Sequence, residues 1–223
     1  MSDRTLIVFV KEPRPGAVKT RLAADVGPEA AAELYRALVE SVLEATTPAP
    51  GEYERLVFFD PPEARRGLRQ WLPGVSLRAQ SAGGLGERMA DAFARAFGRG
   101  ATRVAIVGSD VPGVTRGTVL RALEELGEAD VVLGPAADGG YYLIALREPH
   151  PELVRGIDWS THVVLRQTLE RAAAAGLVVR QLETLCDVDT LADLRAEWPV
   201  LEGRLATRPD LSRTHARALE LPG

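Results

Sequence analysis

Residues 11–22 read Lys-Glu-Pro-Arg-Pro-Gly-Ala-Val-Lys-Thr-Arg-Leu, which gathers Lys11, Lys19 and Arg21 around Gly16 where the chain leaves an apolar run. Cations beside a glycine-bearing turn suit a phosphate chain, because they add charge to the backbone N–H groups that such a turn exposes. The same stretch holds both lysines of a chain whose other 25 basic residues are arginine. Lysine offers a compact point charge where arginine offers a planar fork, so this confinement marks the segment for chemistry. Gly16-x-x-Lys19-Thr20 imitates the tail of a P-loop but fails as one, since Val18 stands where that motif needs glycine. Solvated loop cations remain the competing reading.

Carboxylates come next. Asp110 follows the apolar run at residues 103–108, where a hard oxygen at a sheet mouth could bridge Mg²⁺ or Mn²⁺ to a diphosphate. An aspartate shaping the turn before Pro112 fits equally. Asp187-Val-Asp189-Thr190-x-x-Asp193 could add a second carboxylate from Asp189 while Thr190 caps a helix. Asp138-Gly139-Gly140-Tyr141-Tyr142 combines glycines that allow close approach with tyrosines that could meet a sugar or base, although a tight turn followed by strand tyrosines is the simpler reading. Gln80, with Gly84-Leu85-Gly86 after it, could read a nucleobase edge. The three histidines are too scattered for a triad or metal cluster, and the single Cys186 excludes disulfides and a cysteine-based zinc site.

These residues need elements to place them. Residues 6–10 form a continuous β-branched and aromatic run, the pattern of a fully buried strand. Helices are expected from Pro28 onward, at 63–71, 85–97, 115–126 and 161–175, and from about Thr190. Strands are expected at 55–59, 75–80, 103–108, 130–134, 141–146 and 177–182. This β-α alternation predicts an α/β fold with a mainly parallel sheet covered on both faces, and the short spacing around Gly139 adds an antiparallel strand. Ligands on such sheets gather beyond the carboxyl ends of the strands, which selects residues 11–21, 80–88, 109–114 and 136–141. With no repeat or linker, residues 1–223 read as one domain ending in a helical tail at 199–223.

A net charge of −4 and the absence of like-charge blocks argue against nucleic-acid or polybasic membrane partners. No apolar segment is long enough for a signal core or a membrane span, so a cytoplasmic protein is expected.

Taken in order, Lys11, Pro15 to Leu22, Leu85-Gly86-Glu87-Arg88-Met89, Gly108-Ser109-Asp110-Val111-Pro112, Gly134-Pro135, Asp138 to Tyr142, Trp159-Ser160-Thr161 and Asp187 to Thr190 resemble the bacterial family of small GT-A type transferases. That family is described as glycosyltransferases of arsenosugar biosynthesis or radical-SAM/selenodomain-associated transferases. It is similar in turn to guanylyltransferases of molybdenum cofactor and phospholactate metabolism. The resemblance spans about residues 5 to 195. It implies a nucleotide-diphospho-sugar transferase fold, a Rossmann-like α/β/α sandwich with a mixed sheet.

By that resemblance, Lys11, Lys19 and Arg21 hold phosphates, Lys19 and Asp110 are catalytic, and Asp110 with Asp189 holds Mg²⁺ or Mn²⁺. Gln80, Leu85 and Gly86 meet the base, while Asp138, Gly139, Gly140, Tyr141 and the segment 159–161 shape the sugar or acceptor side. The partners implied are a nucleotide or nucleotide-sugar donor and a small-molecule acceptor, in a monomer or homodimer. The Leu-Ala-Gly-Gly loop of sugar nucleotidyltransferases is replaced here by Val10-Lys11-Glu12-Pro13. This shifts the expectation toward glycosyl transfer from a nucleotide sugar, with nucleotidyl transfer from an NTP to a phosphorylated small molecule as the alternative.

Overall fold

The apolar run at residues 6–10 forms the body of β1 (Arg4–Lys11) in the computed structural model, which describes residues 3–205. Successive residues of β1 enter different cores: Leu6, Val8 and Val10 face one layer, whereas Ile7 and Phe9 face the other. Such a strand reads as unbroken apolar sequence because helices cover both faces of the sheet. Leu6, Ile7 and Val8 are fully buried, and truncating a residue of this kind to alanine costs about 2–5 kcal/mol.

β1 is an interior strand of a sheet completed by β2 (Glu54–Asp60), β3 (Leu77–Ala79), β4 (Arg103–Val107), β5 (Val131–Pro135), β6 (Tyr141–Leu146) and β7 (Val179–Gln181). Among the described residues these seven strands run in the order β3-β2-β1-β4-β6-β5-β7. β6 is antiparallel to both β4 and β5, and the remaining pairs are parallel. The sheet is thus mixed and mainly parallel, Rossmann-like, as the sequence pattern predicts.

The helices are α1 (Thr20–Val26), α2 (Pro28–Ala45), α3 (Arg65–Trp71), α4 (Leu85–Phe97), α5 (Arg116–Glu125), α6 (Val164–Ala174) and α7 (Leu191–Leu205). α2 and α5 pack on the face carrying Val8 and Val107; α4 and α6 pack on the face carrying Ile7 and Ile106. A third cluster joins Leu22 of α1, Leu34 and Leu38 of α2, and Leu191, Leu194 and Leu201 of α7. α5 is opened by Thr115, whose hydroxyl accepts from the Thr118 amide while the Thr118 hydroxyl accepts from the Thr115 amide, a reciprocal cap.

Some elements depart from expectation. α1 has no counterpart in the sequence pattern, because only Leu22 among its seven residues is buried and nothing in its side chains announces a cap. β3 and β7 are three residues each, shorter than expected, and both are sheet edges with one neighbour to pair with. α6 starts at Val164 rather than near 161. The preceding segment is tied into a turn, with the Thr161 hydroxyl donating to the Asp158 carbonyl at 2.6 Å. The helical expectation for 199–223 is met as far as Leu205 by α7, and residues 206–223 lie outside the described residues. No helix among the described residues is long and apolar enough to cross a membrane.

Candidate active site

From β1 the chain moves to β2 on one side, while β4 lies on the other, so the carboxyl ends of β1 and β4 flank the point where strand order reverses. Crevices open there in doubly wound sheets. The loop after β1 and the Ser109-Asp110 turn after β4 both lie at this point. Gly108 leaves room for the Asp110 carboxylate: a Cβ on residue 108 would stand 2.8 Å from Asp110 Oδ1. The segment after β7 then crosses in front, where the Val188 amide donates to the Asp110 carbonyl at 3.0 Å.

These placements converge on Lys19. Its Nζ lies 2.9 Å from Asp110 Oδ2 and 2.5 Å from Asp189 Oδ1, with 5% of the side chain exposed. Burial alone would depress the ammonium, but Asp110 and Asp189 outweigh it and hold Lys19 charged, well above the usual lysine range. Asp189 also pairs with Arg21, whose side chain is largely exposed. Burial opposes ionisation of Asp189, yet Lys19 and Arg21 overcome that and hold its carboxyl below the ordinary value. Asp187 forms no ion pair of this kind among the described residues. Burial, then the charges of Asp138, Asp189 and Asp110, push it up to about 6.

Supporting groups surround this cluster. The Tyr35 hydroxyl, buried in α2, accepts from the Lys11 amide at 2.9 Å and lies 3.0 Å from Ser109 Oγ, joining the ends of β1 and β4. Thr190 opens α7, its hydroxyl accepting from the Asp193 amide at 3.2 Å. The Asp193 carboxylate accepts in return from the Asp189 and Thr190 amides and from the Thr190 hydroxyl. Asp193 is therefore occupied as a cap, while Asp189 faces Lys19.

In the loop after β1, the Glu12 amide donates to the Asp60 carbonyl, the Arg14 amide to the Glu12 carbonyl and the Ala17 amide to the Arg14 carbonyl, at 2.8, 2.8 and 3.0 Å. Pro13 and Pro15 carry no N–H.

Lys19, Asp110, Asp189 and Arg21 are thus brought together. Lys11 sits exposed at the end of β1. Gln80 is buried, donating its side-chain amide to the Phe58 carbonyl at 2.9 Å and accepting weakly from Arg88, which in turn pairs with Asp60. Its amide is committed to β2. Leu85 is exposed, whereas Gly86 is packed so tightly that a Cβ there would stand 2.0 Å from the Val154 carbonyl oxygen.

Asp138 accepts from the Gly140 amide at 2.8 Å. Gly139 adopts φ 92°, with its Cα face against the His162 backbone. Tyr141 packs edge-on to Trp159 with ring centroids 5.9 Å apart, and Tyr142 lies beneath Gly134 in the core. The turn-and-strand reading of residues 138–142 describes their local structure. Sequence reasoning did not pick out Tyr35, whose position on an apolar helix stripe looks like plain core, nor did it separate Asp187 from its neighbours.

Magnesium takes oxygen ligands and is commonly held through one or two carboxylates plus substrate phosphates, and manganese favours the same donors. Asp110 and Asp189 supply such oxygens, with Asp187 and Asp138 close enough to perturb one another electrostatically. Among the described residues no group of three or more His, Cys, Asp or Glu is arranged to hold a metal ion. Two carboxylates are the kind of donor set that a cation shared with ligand phosphates uses.

The family described as "Uncharacterized protein conserved in bacteria (DUF2064)" matches residues 43–161, more than half of the chain, and the chain belongs to it. The chain is 31% identical over 204 residues to the phosphoenolpyruvate guanylyltransferase of Sphaerobacter thermophilus, covering 85% of this chain and 91% of that one. A crystal structure from Desulfovibrio desulfuricans G20, of a protein provisionally named nucleotide-diphospho-sugar transferase, superposes with a TM-score of 0.85 at 35% identity, covering 96% of this chain and 99% of that chain. The manganese complex of Rv0371c from Mycobacterium tuberculosis H37Rv shares the fold, with a TM-score of 0.50 at 17% identity over 89% of this chain and 98% of that chain. The fold is that of nucleotide-diphospho-sugar transferases, and the chain is a transferase enzyme.

Proposed function

We propose that this member of the DUF2064 family transfers a glycosyl group from a nucleotide-diphospho-sugar to a small acceptor, with a divalent cation assisting. The observation that carries the reading is the loop after β1. Its amides at Glu12 and Arg14 are spent on protein carbonyls and Pro13 and Pro15 carry none, so residues 12–15 have no N–H left to wrap a triphosphate. A diphosphate held from the side by cations suits this loop better. Lys19, buried and firmly charged, meets one phosphoryl oxygen, and Arg21 screens the outer face.

Asp110 and Asp189 would hold Mg²⁺ or Mn²⁺, which when bound supplies charge stabilisation for the departing diphosphate. Asp110 is aimed by Gly108 and by the Val188 bond to its carbonyl; Lys19 is aimed by both carboxylates. The nucleoside lies along residues 80–86, where Leu85 offers exposed apolar surface. The rim at 138–141 and 159–161 borders the sugar and acceptor. Gln80 and Gly86 act there by holding the wall in shape.

The 31% identity to a guanylyltransferase supports a second reading, in which Lys19 stabilises the charge on the α-phosphate of an NTP during transfer to a phosphorylated small molecule. Product analysis separates them. Nucleoside diphosphate released from GDP- or UDP-sugars supports the first, and pyrophosphate released from GTP in the presence of a phosphorylated acceptor replaces it with the second.

A further inference from the structure

The Lys19 ammonium is held by the same two carboxylate groups that the reading above gives to a divalent cation, Asp110 at 2.9 Å and Asp189 at 2.5 Å. A cation ligated by those oxygens and an ammonium hydrogen-bonded to them compete for one place. Lys19 cannot leave it freely, because its side chain is 95% shielded from solvent, and a buried ammonium without a partner is costly. It also starts from a constrained backbone. At φ 46° and ψ 49° it is one of two non-glycine residues with positive φ among those described, a conformation kept where surroundings over-determine it. Diphosphate oxygens give the displaced ammonium a charge-assisted acceptor.

We infer that Lys19 is a stand-in for the divalent cation, so that metal ion and diphosphate bind as a coupled pair: the metal gains Asp110 and Asp189 once a diphosphate has taken over the ammonium. The inference rests on the metal-and-diphosphate reading of the site and adds an order to it. Without ligand the two carboxylates are engaged by the chain's own Lys19, with Arg21 on the second oxygen of Asp189, and the protein is a poor binder of free metal. With a diphosphate present the same carboxylates become available. Coupling of this kind is reciprocal, so the metal tightens diphosphate binding by the same factor.

The test measures Mn²⁺ binding by electron paramagnetic resonance, with inorganic pyrophosphate as the diphosphate probe and correction for Mn²⁺ complexed by pyrophosphate in solution. Wild-type protein is expected to bind Mn²⁺ at least about tenfold more tightly with pyrophosphate than without, within the usual range of coupling. Lys19→Met is expected to bind Mn²⁺ alone at least about tenfold more tightly than wild type, with the coupling reduced to about twofold or less. Lys19→Gln replaces it if the methionine variant fails to fold, and the wild-type arm needs no variant.

Equal Mn²⁺ affinity in wild type with and without pyrophosphate overturns the inference, as does a lysine-free variant that binds free Mn²⁺ no better. Neither arm uses a sugar donor, so a protein that turns over nucleotide sugars yet shows no coupling sinks the stand-in while leaving the proposed function in place. Failure of every form to bind Mn²⁺ ends both.

Discussion

Two borders of the crevice are built by different physics. On the β1/β4 side, Lys19, Arg21, Asp110 and Asp189 are held to one another by charge, above the apolar cluster that joins α1, α2 and α7. On the other side, Gly86 against Val154 and Gly139 against His162 are held by close approach of backbone, where a single methyl group would collide. Ionic contacts can be exchanged for a ligand's charges at little cost in shape, whereas a wall of interlocked backbone cannot move without strain. In the proposed function, chemistry would thus fall to the charged side and recognition by shape to the packed side.

The contrast is broken most directly by Asp110→Ala. Turnover should fall by about 100-fold or more, as when a principal charge-stabilising group is removed, while the melting temperature changes little because Asp189 still holds Lys19. Steady-state kinetics beside a thermal melt checks this, and a variant that unfolds with its per-molecule rate intact would make the charged side structural. Gly86→Ala should do the reverse. Forcing a Cβ to within 2.0 Å of the Val154 oxygen should cost about 3 kcal/mol, seen as a drop of several degrees, with the rate per folded molecule retained.

Asp187→Asn sharpens the charged side. Burial and the neighbouring carboxylates raise its carboxyl from the ordinary 3.8 to about 6, so the native state binds the extra proton between those values. Stability is full below the lower value, falls as pH rises through that window, and the whole deficit persists above the upper one. Replacing the carboxyl should therefore stabilise the metal-free protein above pH 6.5 by about 1 kcal/mol after allowance for partial solvation, and have little effect near pH 4. Melts in a chelating buffer at the two pH values decide it. The smallest change is expected from Tyr35→Phe, which removes the acceptor of the Lys11 amide and should cost about 1 kcal/mol. A change in rate larger than the change in stability would assign Tyr35 to aiming the β1 loop.

Much of this was legible in the chain. β1 shows itself as an unbroken β-branched run because both faces are covered, and α4 begins and ends where Met89, Phe93 and Phe97 keep helical register. Lys19 stands out through the scarcity of lysine and Asp110 through its place after the most apolar strand. What stayed hidden depends on distant parts of the chain. α1 owes its form to packing on α2 and α7, and the Tyr35 hydroxyl acquires a role only when Ser109 arrives beside it. Gln80 looks like a reader of bases in sequence, and only the nearby Phe58 carbonyl reveals that its amide is already engaged.

The bond between Lys19 and Asp189 spans 170 positions of the chain. Contacts between such distant segments close late, since the chain between them must first be ordered. During synthesis the sheet through β6 can assemble while one of the two carboxylates that grip Lys19 has yet to be made. A chain cut short before Asp187 would keep most of its core and lack Asp189, one of the two carboxylates that hold Lys19.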